Sequence, residues 1–157
     1  MINILKTALF AAVFMAFFLV FVPLRWVLPP GTGVLMPLGL LGLVPLGIGF
    51  AIVLWCLWEF ATRGQGTPAV FDPPKNLVVR GPYKYVRNPM YIGAGTALFG
   101  AALRSGSLAL AGYAVVFLLI THLFVLLYEE PHLRGVFGES YADYRRTVHR
   151  WIPTWRS

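Results

Sequence analysis

The stretch Leu108 to Tyr128, LALAGYAVVFLLITHLFVLLY, contains no Asp, Glu, Lys or Arg, and Glu129 and Glu130 follow it directly. A helix of this length rises about 31 Å, close to the bilayer hydrocarbon thickness of about 30 Å. It is the last of four apolar stretches, the others being Ile4 to Val22, Leu35 to Phe60 and Met90 to Leu103. The pattern predicts an all-α, polytopic integral membrane protein with about four transmembrane helices.

The composition of the whole chain supports the same class. Of 157 residues, 58% are hydrophobic and only 12% are charged, about half the charged fraction of an average soluble protein. A soluble domain, a disordered tail and a disulfide scaffold are therefore excluded, the last also because Cys56 is the single cysteine. We expect the basic residues behind the net charge of +7 to interact with a lipid bilayer, not with a nucleic acid.

The chain is predicted to form a single domain, 1–157, with N-terminal helices in 1–60 and the chemistry in 61–157. The turn Arg104 to Ser107 joins the last two apolar stretches into a C-terminal helical hairpin. Small residues let helices approach closely, so four glycines are expected to pack the two hairpin helices together. They are Gly93, Gly95, Gly100 and Gly112.

Two polar regions flank this hairpin. The connection 61–88 is rich in proline and basic residues. In the tail, Phe137, Tyr141, Tyr144 and Val148 share one face at helical spacing, which predicts an amphipathic helix lying at the membrane interface.

The distribution of basic residues predicts the orientation. With four spans, eleven Lys and Arg residues fall on the side that holds both termini, the connection and the tail. The other side holds Arg25 and Arg104 alone. The positive-inside rule therefore predicts that both termini and the active site are cytoplasmic.

An antiparallel hairpin brings its two outer ends together, so Tyr91 and Glu129 are expected at the same end, near Arg87 and Glu130. This set could form a polar pocket, although charged residues and tyrosines at helix ends are also common as solvated membrane anchors. The three histidines, His122, His132 and His149, lack ligand spacing and cysteine support, so no metal site is predicted.

The residues on both sides of the hairpin also resemble a known signature. The stretch Leu77 to Gly93, LVVRGPYKYVRNPMYIG, resembles the motif of the isoprenylcysteine carboxyl methyltransferase and phospholipid methyltransferase superfamily. The second half of that motif is similar to Glu129-Glu130, Phe137 to Tyr141, Tyr144 and Val148 to Pro153, in the same order. The resemblance implies an integral membrane enzyme that uses S-adenosylmethionine.

Carried over residue by residue, the resemblance implies catalytic roles for Glu129, Arg87 and Tyr91. A carboxylate can pair with the cofactor ammonium, an arginine with its carboxylate, and a tyrosine ring with its sulfonium. Asn88 stands where the family usually has His, and no arginine precedes Glu129 by one turn. The implied cofactor-binding residues are Lys75, Asn76, Leu77, Val78, Tyr83, Asn88, Pro89, Met90, Tyr91, Glu129 and Glu130.

The methyl acceptor stays open among an isoprenylcysteine-like carboxylate, a phospholipid amine and a thiol. We expect it to enter between the third and fourth predicted helices, beside Gly93, Thr96, Gly100 and Tyr113. Two other functions are considered: an NADPH-dependent sterol-type membrane reductase, and a non-enzymatic small membrane protein that retains the hairpin.

Overall fold

The computed structural model describes residues 13, 16–27, 37–64 and 76–154, and within these ranges every regular element is helical. The all-α prediction is confirmed. The predicted span Ile4 to Val22 lies largely outside the described residues, as does Lys75. Two π-helical segments, Ala16–Phe21 and Pro23–Val27, are described near the N-terminus.

Four α-helices build the rest of the described structure. A 3₁₀ turn, Pro37–Gly42, leads into α1, Leu43–Glu59, which ends in a π turn, Phe60–Gly64. After the 3₁₀ turn Gly81–Lys84 come α2, Pro89–Ser105, and α3, Leu108–Phe124. A π turn, Val125–Glu129, connects α3 without interruption to α4, Glu130–Thr147.

The predicted hairpin is formed by α2 and α3, and local sequence explains its turn. Pro89 occupies the first turn of α2, where its missing N–H leaves no hydrogen bond unmade. Gly106 ends the helix at a φ of 63°, a left-handed conformation that favours glycine. The Ser107 side chain then accepts a hydrogen bond from the Leu110 amide at 3.2 Å and caps α3.

The glycines pack α2 mainly against α1, not against α3 as predicted. A Cβ on Gly49 of α1 would lie within 3 Å of backbone atoms of Gly93 and Ala97, and one on Gly100 would lie equally close to Leu46. Only Gly95 of the predicted set faces α3, where it contacts the Leu118 side chain. The prediction is wrong because residue spacing shows that small residues share one face of a helix, but it does not show which neighbouring helix packs against that face.

Two described helices are long and apolar enough to cross a membrane, Gly39–Thr62 and Leu108–Thr147, and the apolar part of the second ends at Tyr128. Large apolar side chains point outward from both, as expected where lipid replaces water. Examples are Leu54, Trp55 and Trp58 on α1, and Leu119, Ile120 and Leu123 on α3. The structure thus supports two of the four predicted spans.

The tail helix α4 is amphipathic as predicted, but its apolar face is covered by the protein itself. Tyr141, Tyr144 and Val148 are buried in a cluster that also contains Leu77 and Phe137. The interfacial-helix prediction is therefore wrong about what this face contacts. The reason is that segment 76–88 folds back beneath α4, a long-range contact that helical periodicity does not report.

Candidate functional site

Segment 76–88 and the tail are joined by hydrogen bonds that cross about sixty residues of sequence. The Tyr144 hydroxyl donates to the Tyr83 carbonyl at 2.7 Å. The Arg87 amide donates to the His149 carbonyl at 2.9 Å, and the Asn88 side-chain amide donates to the Arg150 carbonyl at 3.1 Å. The two halves of the motif therefore form one structural unit at the end of the helical hairpin.

The hairpin places Tyr91 and Glu129 at the same end, as the sequence predicts. The Tyr91 hydroxyl donates to Glu129 Oε2 at 3.0 Å. Tyr91 lies in the first turn of α2 and Glu129 at the last residue of the π turn after α3. Since both positions are set by the hairpin, the carboxylate is held at a fixed place against the segment that begins α2.

Glu130 lies among three arginines. Arg150 binds both carboxylate oxygens, at 2.7 and 2.9 Å, and Arg87 Nη2 lies 3.0 Å from Oε1. Arg145 Nε lies farther away, 3.7 Å from Oε2. A bidentate arginine–carboxylate pair is geometrically specific, so Glu130 fixes where these guanidinium groups point.

The charges around Glu130, which lies in α4 beyond the apolar run, lower its pKa below the usual 4.5. Burial acts in the opposite direction, but the Arg150 hydrogen bond and the charges of Arg87 and Arg145 outweigh it. Burial also lowers the pKa of the Arg87 guanidinium, against the raising effect of Glu130. One carboxylate faces three cations, which leaves this cluster with an excess of positive charge.

Next to this cluster lies a pocket between α4, the end of α3 and segment 76–88. Its empty space, including the open mouth, measures about 780 Å³. Several buried polar atoms at the pocket have no hydrogen-bond partner among the described residues, namely Arg87 Nε and Nη1 and His132 Nε2. The lining residues are Phe60, Leu77, Val78, Tyr83, Arg87, Asn88, Phe124, Val125, Tyr128, Glu129, Glu130, His132, Leu133, Phe137, Tyr141 and Tyr144.

Most of the predicted site residues meet at this pocket. Those that line it are Leu77, Val78, Tyr83, Arg87, Asn88, Glu129 and Glu130. Tyr91 reaches it through its hydrogen bond to Glu129, whereas Asn76 is exposed. Pro89 is buried in the first turn of α2, and Met90 packs against the cluster that contains Tyr83.

Sequence reasoning missed other lining residues, among them Phe60, Tyr128 and His132. His132 carried a usable signal, since it follows Glu129 by three residues and so lies on nearly the same face of a helix. Phe60 carried none, because it belongs to the generic apolar part of the chain. The two arginines that hold Glu130 from the tail, Arg145 and Arg150, were likewise left out of the predicted site.

The acceptor is predicted to enter between the two hairpin helices, α2 and α3, and this prediction is wrong for two of its four residues. Gly93 and Gly100 face α1 instead, as described above. Thr96 bonds to the Ile92 carbonyl within its own helix, and Tyr113 donates to the Phe18 carbonyl at 3.0 Å. Two of the four residues therefore pack against α1, and the hydroxyls of the other two are bonded to backbone carbonyls.

The pocket has a polar end and an aromatic end. Glu129 supplies an acidic group, and the Arg87 donors that lack a partner in the described part of the chain supply a cationic one, which together suit a zwitterionic group. Burial raises the pKa of Tyr83 well above 10, so this phenol stays neutral and offers an apolar ring. The residues that the structure describes contain no group of three or more His, Cys, Asp or Glu that could hold a metal ion.

Comparison with known proteins gives a consistent family. A family model described as phospholipid methyltransferase matches residues 38–140, well over half of the chain. A phosphatidylethanolamine N-methyltransferase of Laccaria bicolor is 40% identical over 67 residues, which are 43% of this chain and 7% of that protein. Methanethiol S-methyltransferase 1 of Bradyrhizobium diazoefficiens is 32% identical over 93 residues, 59% of this chain and 29% of that protein.

The chain spans less than a third of the length of these relatives. No solved structure matches it significantly. The family match confirms the resemblance identified from the two motif halves, and it includes the first half together with α1, α2, α3 and part of α4.

Proposed function

Because the chain belongs to the phospholipid methyltransferase family, we propose that it is a membrane methyltransferase that binds S-adenosylmethionine in the pocket between α4 and segment 76–88. The observation that carries this proposal is the pairing at one polar end of a fixed carboxylate, Glu129, with buried Arg87 donors that have no partner among the described residues. A ligand that carries an ammonium and a carboxylate would satisfy both.

The residues present fit this cofactor. Glu129 would bind the ammonium or the ribose hydroxyls, held in place by the Tyr91 hydroxyl. Arg87 would bind the carboxylate through Nε and Nη1, while its Nη2 stays on Glu130. Tyr83, Phe60 and the other rings would hold the flat adenine or attract the sulfonium, an attraction worth about 0.5–2 kcal/mol.

When bound, S-adenosylmethionine supplies an activated methyl group, and the chain has to align an acceptor and exclude water. α4 and the tail cover the pocket through the Tyr144–Tyr83 and Asn88–Arg150 hydrogen bonds. A dry site favours transfer to the aligned acceptor over loss of the methyl group to water.

The acceptor would be a lipophilic or small nucleophile: a phospholipid amine, a thiol or an isoprenylcysteine-like carboxylate. The relatives are named for two of these classes, a phospholipid amine and methanethiol. The excess of basic residues beside the pocket supports a cytoplasmic site, since anionic lipid and the positive-inside rule both favour that side.

A binding titration tests the cofactor assignment. The purified full chain in detergent should bind S-adenosylmethionine with saturation, and NADPH should not compete. Labelled methyl groups should then appear in an added thiol or in extracted lipid. Saturable NADPH binding without S-adenosylmethionine binding would instead support a reductase, and binding of neither would support a non-enzymatic role.

A further inference from the structure

His132 lines the pocket, and the described residues give its buried ring nitrogen no structural role. Its ring runs parallel to that of Tyr128, with centroids 6.0 Å apart and planes within 11°. Its Nε2 is buried and has no hydrogen-bond partner among the described residues. It is also the single imidazole among the residues that line this pocket. A buried ring nitrogen without a hydrogen bond lowers the stability of the fold, so we expect a functional reason for its presence.

We propose that His132 is the general base that takes the proton from the methyl acceptor, and that the acceptor is a thiol. The inference rests on the proposed function, because it needs a methyl donor in the same pocket. Glu129 and Arg87 bind the donor at the polar end, and His132 follows Glu129 by one helical turn. Its Nε2, which no described residue binds, is therefore available to an acceptor approaching the same space.

The chemical step balances with these groups alone. The thiol S–H bond breaks and its proton moves to His132 Nε2, giving an imidazolium. The sulfur electron pair forms a new S–C bond to the methyl group while the bond from that methyl to the sulfonium sulfur breaks. The products are a methyl thioether and S-adenosylhomocysteine, and the imidazolium later loses its proton to water.

A thiol fits an imidazole base better than an amine does. Reference pKa values are about 8.5 for a thiol and about 10.4 for an alkylammonium, so near neutral pH a thiol gives up its proton more readily by about two units. General base catalysis therefore has a smaller barrier to overcome with a thiol acceptor than with an amine.

Other titratable groups around the pocket do not fill this role equally well. Glu129 is bonded to Tyr91, and Glu130 is bound by Arg87 and Arg150. The remaining groups that face the pocket are the phenols Tyr83, Tyr128, Tyr141 and Tyr144 and the Arg87 guanidinium. Phenols and guanidinium groups are protonated at neutral pH and so act as donors.

The test uses two thiol probes and the variant His132→Gln in the full chain. For an alkanethiol, which needs a base at neutral pH, kcat/KM should fall about 100-fold or more. For an aromatic thiol, which ionises at lower pH without help, the fall should stay under about 10-fold. The pH range over which the rate rises should also shift to higher pH in the variant. The affinity for S-adenosylmethionine should be unchanged.

His149→Gln is the matched control, because His149 is exposed on the tail and its side chain lies outside the pocket. Equal losses for both thiols, or no loss in His132→Gln, would overturn the base assignment. Faster methylation of a phosphatidylethanolamine vesicle than of any thiol would overturn the thiol assignment. A wild-type chain that binds no S-adenosylmethionine would instead refute the proposed function itself.

Discussion

The α1–α2 contact and the pocket under α4 are stabilised in opposite ways. At the α1–α2 contact, backbone meets backbone at Gly49 and Gly100, and at Gly93 the backbone meets both the Gly49 carbonyl and α1 side chains. At the pocket, ion pairs and hydrogen bonds join three separate stretches of chain around Glu130. The first depends on the absence of atoms, and the second on the presence of specific charges.

This difference teaches which substitutions each region tolerates. A glycine contact fails when a single carbon is added, whatever its polarity, because neither backbone can move aside. A charged cluster keeps its shape when a side chain is replaced by an isostere but loses the interactions that orient it. Stability and ligand binding should therefore respond separately to changes in the two regions.

The largest expected effect is that of Gly49→Ala. Its Cβ would meet the backbone nitrogen of Ala97 and the carbonyl oxygen of Gly93 at less than 3 Å, so α1 and α2 must separate. We expect a loss of about 3 kcal/mol in unfolding free energy, the upper end for overpacking. Thermal unfolding in detergent measures this effect.

Gly47→Ala is the matched control on the same helix, since nothing described lies within 4 Å of a Cβ at Gly47. It should leave stability unchanged or raise it by about 0.5–1 kcal/mol, because alanine favours the helix. Equal stability of the two variants would contradict the close α1–α2 contact.

The next effect is that of Glu130→Gln, which removes the one carboxylate among Arg87, Arg145 and Arg150. Breaking a fully buried ion pair costs about 3–5 kcal/mol. Because Arg145 and Arg150 are partly exposed, we expect a smaller loss, about 2 kcal/mol in unfolding free energy. Glu139→Gln, on the exposed face of α4, should have no effect on thermal unfolding. A wild-type melting temperature in Glu130→Gln would show that the cluster does not stabilise the site.

Glu129→Gln should affect binding more than stability. The change keeps the side-chain volume but removes the charge that faces the proposed ammonium, at a cost of about 1.5–3 kcal/mol. This corresponds to a loss of roughly 10- to 150-fold in S-adenosylmethionine affinity. Calorimetric titration of the variant beside Glu139→Gln measures it. Unchanged affinity would remove Glu129 from the proposed cofactor site.

The sequence predicts the hairpin and one end of the pocket well, for physical reasons that are local. The turn at Gly106, the proline that opens α2 and the charge-free stretch before Glu129 each depend on neighbouring residues. Antiparallel geometry then brings Tyr91 to Glu129 without further information, and the structure places them 3.0 Å apart.

Contacts between distant segments were beyond the reach of that reasoning. Which helix Gly93 meets, and whether Tyr144 faces lipid or the Tyr83 carbonyl, depends on how the segments fold together. Both residues fit more than one partner equally well by residue type. For the same reason the sequence did not predict the Arg150–Glu130 pair. These two residues are 20 positions apart, and α4 is kinked between them at Gly138.

The last and smallest expected effect is a change in stability with pH that comes from the Glu130 cluster. It is also the most specific, because it depends on the ionisation of this one carboxylate. Its neighbours lower the pKa of Glu130 below 4.5, so the folded chain holds this proton more weakly than the unfolded chain does. The resulting stability is fully present above about pH 4.5 and is lost as the pH falls through the lower folded value. The stability difference between wild type and Glu130→Gln should therefore stay constant from about pH 7 to 5 and shrink toward about pH 3.

Thermal unfolding of both chains across this range measures the difference, with Glu139→Gln expected to track wild type throughout. A difference that persists unchanged at about pH 3, or that grows as the pH falls below neutral, would mean that the three arginines do not hold this carboxylate ionised.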